Sequence, residues 1–235
     1  VHIRTQDSQD EGNVVSRIEQ HVVRAHAMDK IEMLARILQA DGRGPTIVFC
    51  RTKRIAQKTA DDLIERGFSA SSIHGDLGQG AREKALNDFK SGKSEILIAT
   101  DVAARGIDVD GITHVINYQC PEDEKTYVHR IGRTARAGAD GIAVTFVDWD
   151  ELARWKMIDT ALELGLPEPL ETYSSSDHFF EAMHIPAGSS GRMVPAAKVE
   201  AAPKSDRPAR KSAPVAKAPR EKTARVRTRT KRIAE

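Results

Sequence analysis

Two cysteines, few aromatics and no long apolar run set the first limits on this 235-residue chain. Cys50 and Cys120 cannot build a disulfide framework or a four-cysteine zinc site. Each ends an apolar run, so both read as buried structural thiols, which fits a reducing cytoplasmic setting. No apolar stretch approaches the ~18 residues of a membrane span. Residues 1–7 hold no signal-type apolar region, and a chain that begins with Val reads as a piece of something longer. The two tryptophans, Trp149 and Trp155, sit around one helical segment and read as packing residues rather than base-stacking platforms.

What is present is an uneven charge. Residues 186–235 hold 14 Lys/Arg against 4 Asp/Glu, a net of +10, whereas residues 1–185 carry a net of −8. An acidic body joined to a basic tail points to nucleic acid or another acidic surface as partner. The tail also has six of the ten prolines and almost no large apolar side chains. It cannot bury enough surface to offset its ordering entropy and reads as disordered. Seven basic residues fall between Arg220 and Arg232 with no aromatics to stack on bases, which predicts salt-sensitive, non-specific attraction to phosphate. Residues 1–13 are polar and read as a linker. The domain lies at about 14–170, with 171–185 as a trailing segment.

Within that domain, short β-rich runs alternate with helical periods. The runs fall at 46–50, 70–74, 95–100, 114–118 and 141–147; the helical segments fall at 30–40, 54–66, 79–90 and 150–164. The helices carry apolar stripes at spacings of three and four. The strand runs are near-continuously apolar, as in strands covered on both faces. Repeated strand–helix units predict an α/β fold, a parallel sheet with helices on both faces, and ligands in such sheets collect at the carboxyl ends of the strands.

Three clusters sit at those ends. Thr100-Asp101-Val102-Ala103-Ala104-Arg105-Gly106-Ile107-Asp108 combines hydroxyl, carboxylate and guanidinium groups, although a polar loop with a helix cap accounts for it equally simply. Tyr127-Val128-His129-Arg130-Ile131-Gly132-Arg133-Thr134-Ala135-Arg136-Ala137-Gly138 places three arginines at spacing three, extending along one helix face. Stacked like charges favour an anion, and the planar guanidinium fork suits phosphate. In Ser72-Ile73-His74-Gly75-Asp76, Gly75 permits a tight turn into a helix whose first turn carries Gln79 and Arg82. An anion site at that helix start and a plain capped turn both fit.

These clusters resemble motifs of the DEAD-box RNA helicases of superfamily 2. Residues 46–53 resemble motif IV, 79–82 the Q-x-x-R element, 99–108 motif V and 129–138 motif VI, in the family's order. The resemblance implies a RecA-like domain, the C-terminal one of two, with residues 1–13 as the remnant of an interdomain linker. It implies ATP as ligand, with Asp108 on the ribose and Arg133 and Arg136 as arginine fingers at the γ-phosphate. It also implies His129 in the interdomain network around the attacking water and Arg105 in locking the closed domains. Thr52, Gly75, Gln79, Arg82, Thr100 and Gly106 match positions that touch the RNA backbone, where contacts carry no sequence information. Ala135 departs from the family's usual Gly.

The other half of such a machine is missing. The nearest text to a phosphate-binding loop, Gly92-Lys93-Ser94, follows a helix and precedes a strand, the reverse of the required context. No D-E-A-D carboxylates are present, so Mg²⁺ would be held mainly by an N-terminal RecA-like domain, and this chain alone is expected to be inactive. The alternative reading is a stand-alone RNA-binding or chaperone module of helicase fold, against which the intact fingers argue.

Overall fold

The computed structural model describes residues 17–194 except 106, 108, 137 and 138. The chain divides into two units, Val1–Ala197 and Lys198–Glu235, and every described residue falls in the first. The linker expected at 1–13, and 195–235 of the expected tail, lie outside the described residues.

The elements run β1 (Ile18–Arg24), α1 (Lys30–Ile37), β2 (Thr46–Phe49), α2 (Lys53–Glu65), β3 (Ala70–Ile73), α3 (Gln79–Lys90), β4 (Ile96–Ala99), α4 (Asp101–Ala104), β5 (His114–Asn117), α5 (Glu124–Ile131), β6 (Gly141–Val147), a 3₁₀ turn (Trp149–Glu151), α6 (Leu152–Leu162), β7 (Leu170–Glu171) and α7 (Asp177–Ala182). The seven strands form one sheet in the order β3–β4–β2–β5–β6–β1–β7, and every pairing is parallel. This is the RecA-like architecture that the motifs imply.

All four residues of β2, β4 and β5 are buried, because both faces are covered. Val48, Ile98 and Ile116 point to one face and pack with Leu34 of α1, Leu63 of α2 and Phe179 of α7. Their neighbours Ile47, Leu97 and Val115 point to the other face, with Phe89 of α3 and Ala103 of α4. Tyr127 and Ile131 of α5 continue that second layer with Trp155 of α6. Trp155 is fully buried and donates from Nε1 to the Leu166 carbonyl (2.7 Å), whereas Trp149 is 40 % exposed, with the Arg24 guanidinium 5.3 Å above its ring.

The trailing segment belongs to this layer structure. β7 pairs with Val23 and Arg24 of β1, and the Asp29 carboxylate accepts hydrogen bonds from the Ser174 backbone N–H (2.6 Å) and hydroxyl (2.8 Å). Phe179, Met183 and Ile185 are buried. Beyond them the chain stays attached past Pro186. Met193 N–H donates to the Arg66 carbonyl (2.8 Å), and Arg66 donates to that of Gly191 (2.9 Å). Packing therefore continues to residue 194, past the composition change at 186.

Both cysteines are buried and reduced. Burial pushes each thiol up to about 12, so neither supplies thiolate at neutral pH.

At the amino ends of the strands, His114 is 4 % exposed, its Nδ1 2.8 Å from the Thr113 hydroxyl. Burial, reinforced by Arg43, lowers its pKa to about 4. The unfolded chain, at about 6.5, therefore takes up this proton first as pH falls. Stability from His114 is full above pH 6.5 and is lost between 6.5 and 4, by about 3 kcal/mol. His114→Asn should flatten that window in urea melts compared between pH 7 and 4.5; an unchanged slope would refute the assignment.

Gly141 opens β6 where a Cβ would lie 2.8 Å from the Ala135 backbone nitrogen and closer still to the buried Thr134 hydroxyl. Gly141→Ala should destabilise the domain by about 1–3 kcal/mol through overpacking, read as a lower urea midpoint at unchanged slope.

Candidate functional site

The chain leaves β2 by α2 toward one sheet edge, on the first face, and leaves β5 by α5 toward the other, on the second. Where neighbouring strands part in this way, their carboxyl ends open a crevice. A pocket of about 270 Å³ lies there, lined by Phe49, Asp101, Arg105, Thr126, His129, Arg130 and Arg133 among others.

Its base is an ion pair. Arg130 is 1 % exposed; its Nε donates to Asp101 Oδ1 (2.6 Å) and its Nη2 to Oδ2 (2.7 Å). Nη1 donates to Asn117 Oδ1 and the Gln119 carbonyl, both at 3.1 Å. The guanidinium lies 5.3 Å over the Phe49 ring, and Asn117 is held in turn by donating to the Thr145 hydroxyl (3.0 Å). Three strand ends, those of β2, β4 and β5, thus converge on one side chain. Bidentate, charge-assisted bonds are the strong kind.

The arginine series is therefore not one anion-facing stripe. α5, capped by the Asp123 carboxylate accepting from Thr126 N–H (2.7 Å), ends at Ile131. Arg130 is buried with Tyr127, one helical turn before it, and with its neighbour Ile131, and that apolar company is the sequence signal that marks it as core-facing. Arg133 lies in the following turn and donates to the Ile107 carbonyl (3.1 Å). Arg136 lies further along, its Nε donating to the Gly132 carbonyl (3.2 Å). The turn is anchored by Thr134, whose hydroxyl donates to the Ile112 carbonyl (2.6 Å). Ala135, next in line, is not helical: its φ is +55°, a region that glycine enters without strain.

The other expected residues distribute over the β3–β4–β2 side. Thr52 caps α2, accepting from Ile55 N–H (3.3 Å). Gln79 opens α3 and bonds Glu83 (2.7 Å), and Arg82 donates to the Ala103 carbonyl (2.8 Å), tying α3 to α4. Thr100 is buried before α4 and makes no side-chain cap bond, so the capped-loop alternative for that cluster fails; Asp101 is taken by Arg130. Gly75 is exposed, has no positive φ and has nothing within 4 Å of a Cβ position. The tight turn expected there does not require glycine. Gly106 and Asp108 lie outside the described residues. Arg105, His129 and Arg133 thus share the pocket, while Arg136 does not line it. Asp101 and Arg130 also line it; with Asn117 and Gln119, which bond Arg130, they are the residues to which the resemblance gave no role. Among the described residues no cluster of three His, Cys, Asp or Glu side chains could hold a metal ion, and no helix is long and apolar enough to cross a membrane.

A parallel RecA-like sheet with this arginine- and carboxylate-lined crevice defines a class of α/β domain. Comparison with known proteins narrows it. The helicase conserved C-terminal domain matches residues 29–138. The ATP-dependent RNA helicase CshA of Listeria monocytogenes is 43 % identical over 168 residues, 72 % of this chain and 32 % of CshA. The CshA of Geobacillus kaustophilus is 47 % identical over 145 residues, 62 % of this chain and 31 % of that protein. The solved structure of E. coli DEAD-box protein SrmB bound to regulator of ribonuclease activity A aligns with a TM-score of 0.60 at 32 % identity, covering 68 % of this chain and 92 % of that one. The C-terminal domain of the DEAD-box protein Dbp5 aligns at 0.62 and 31 %, covering 72 % and 98 %. The chain belongs to the DEAD-box helicases of superfamily 2, as their C-terminal RecA-like domain. It spans about a third of the length of the curated relatives it matches.

The Asp101–Arg130 pair carries a test. Asp101→Asn and Arg130→Met should each destabilise by about 2–4 kcal/mol, with a coupling energy above about 1 kcal/mol in the double-mutant cycle. Additive effects would show that the pair does not organise the site.

Proposed function

We propose that this chain is the C-terminal half of an ATP-dependent RNA helicase that works against an N-terminal RecA-like domain. The observation that carries the reading is the gathering of Arg105, His129 and Arg133 on one pocket above the Asp101–Arg130 pair. The curated relatives, named as ATP-dependent RNA helicases, support it.

In this reading ATP lies between the two halves. Asp108 accepts a hydrogen bond from the ribose. Arg133 and Arg136 place positive charge at the γ-phosphate, stabilising charge that develops on the equatorial oxygens. The Thr134 anchor holds the turn that carries both of them. His129 orients the interdomain hydrogen bonds around the attacking water, and Arg105 holds the halves closed. Mg²⁺, where bound, would neutralise phosphate charge and would be held mainly by the N-terminal domain.

RNA runs along the β3–β4–β2 side, its sugar–phosphate backbone touched by Thr52, Gly75, Gln79, Arg82, Thr100 and Gly106. The exposed Gly75, which the fold does not require, leaves room for close backbone approach. Closure on a bent single strand excludes a duplex and separates short helices locally, and hydrolysis reopens the clamp. The basic residues of 186–235 add non-specific phosphate attraction that weakens with salt.

RNA-stimulated ATP turnover tests the proposal. The chain alone should be inactive. Joined to its N-terminal half it should turn over, and Arg133→Ala or Arg136→Ala should lower kcat by about 10³-fold. Turnover by the chain alone, or fingers that can be removed without loss, would defeat the reading; RNA binding without turnover in the joined protein would favour the stand-alone binding module.

A further inference from the structure

Gln119 lies just beyond the end of β5, between two pockets. One is the 270 Å³ pocket described above, which holds Arg130. The other, of about 470 Å³, opens on the opposite face of the sheet beside α1 and α2 and is lined by both Arg51 and Gln119.

The link between Arg51 and Gln119 is specific. Gln119 Oε1 accepts a hydrogen bond from the backbone N–H of Arg51 (3.1 Å), the residue immediately before Thr52. The backbone carbonyl of Gln119 accepts from Arg130 Nη1 (3.1 Å), the residue between His129 and the turn that bears Arg133. One residue is therefore hydrogen-bonded on one side to the loop that presents Thr52 and on the other to the helix that carries His129 and Arg130. The Arg51 guanidinium turns the other way, donating to Glu151 (3.2 Å), so the direction of the loop at Arg51 is held from both ends. A backbone N–H needs an acceptor, and the amide oxygen supplies it.

We propose that Gln119 is a positioning residue that couples the RNA-side loop after β2 to the nucleotide-side helix α5. The proposal rests on the helicase reading given above. In it, the Thr52 loop and the Arg130 helix cannot shift independently, because both are registered on Gln119. RNA seated at Thr52 then favours the arrangement of α5 that points Arg133 into the cleft. Gln119 touches neither ligand; it acts through Arg51 and Arg130. Because it is only half-buried, the side chain can be changed without opening the core.

The test compares Gln119→Leu, which removes the acceptor at similar size, with Gln119→Glu, which keeps it. In the intact two-domain protein, Gln119→Leu should raise the half-saturating concentration of oligo(U) and lower RNA-stimulated kcat, together by about fivefold in kcat over that concentration for one lost hydrogen bond. The KM for ATP and the melting temperature should stay near wild type, and Gln119→Glu should behave like wild type. Amide exchange of Arg51 in this chain should quicken severalfold in Gln119→Leu only. Wild-type coupling in Gln119→Leu, equal loss in both variants, or unchanged Arg51 exchange would each overturn the proposal. If the intact wild-type protein shows no RNA-stimulated turnover, the helicase reading itself fails, and with it the coupling role; Arg51 exchange would still report whether Gln119 sets the loop.

Discussion

An arginine taken almost wholly out of water is costly unless nearly every donor is met. Arg130 is 1 % exposed, and its cost is offset by two bonds to Asp101, by Asn117 and by the Gln119 carbonyl. Those partners stand at the ends of different strands. Satisfying one guanidinium therefore fixes how the ends of β4 and β5 sit relative to α5, and the Phe49 ring beneath it adds the end of β2. Asp101 keeps part of its hydration, with 31 % of its side chain exposed, so the pair is anchored from the arginine side. The placement of the other polar side chains on the pocket follows from this arrangement, since His129 flanks Arg130, Arg133 follows one turn later, and Arg105 ends the helix that Asp101 opens.

The sheet order sorts the remaining residues. β3, β4 and β2 occupy one side of the crevice, and the helix after β5 occupies the other. Among the described residues, Thr52, Gly75, Gln79, Arg82 and Thr100, matched to RNA positions, fall on the first side, and His129, Arg133 and Arg136 fall on the second. α4 is the element common to both: Thr100 precedes it, Asp101 opens it toward Arg130, and its Ala103 carbonyl receives Arg82. A four-residue helix has little intrinsic stability. It persists because it is bonded from both sides, and for the same reason a disturbance on either side reaches it.

Much of this fold was legible because burial on both faces leaves a continuous apolar run, and β2, β4, β5 and β6 carry such runs. β1 escaped notice because Ile18-Glu19-Gln20-His21-Val22-Val23-Arg24 mixes polar side chains into a strand whose register is set by its seven-residue pairing with β6. β7 is two residues long, too short for any periodicity; its place depends on β1. The attachment of residues 186–194 was hidden by the proline- and charge-rich average of 186–235, which says nothing of the Arg66 carbonyl that this short stretch finds. In the site, motif resemblance located Arg105, His129 and Arg133, which face the pocket, but not the partners that aim them. Asp101 and Arg130 are distant in sequence and become neighbours only through the order of the strands, which no local pattern encodes.

Glycine separates what the fold demands from what it does not. Gly141 has the Ala135 backbone and the Thr134 hydroxyl where a Cβ would go, so the start of β6 and the turn after α5 are pressed together by steric necessity. Ala135 adopts a left-handed φ within that same turn, accepting strain on the order of 1 kcal/mol that glycine would avoid; the Thr134 anchor and the pressure from β6 hold it there. Gly75, in contrast, has open space around it and an ordinary φ. Neither packing nor backbone conformation accounts for a missing side chain at that point. The turn after α5 is thus over-determined by its own domain, as a platform for charge must be, whereas the edge at Gly75 is left open on the side where the proposed RNA path runs.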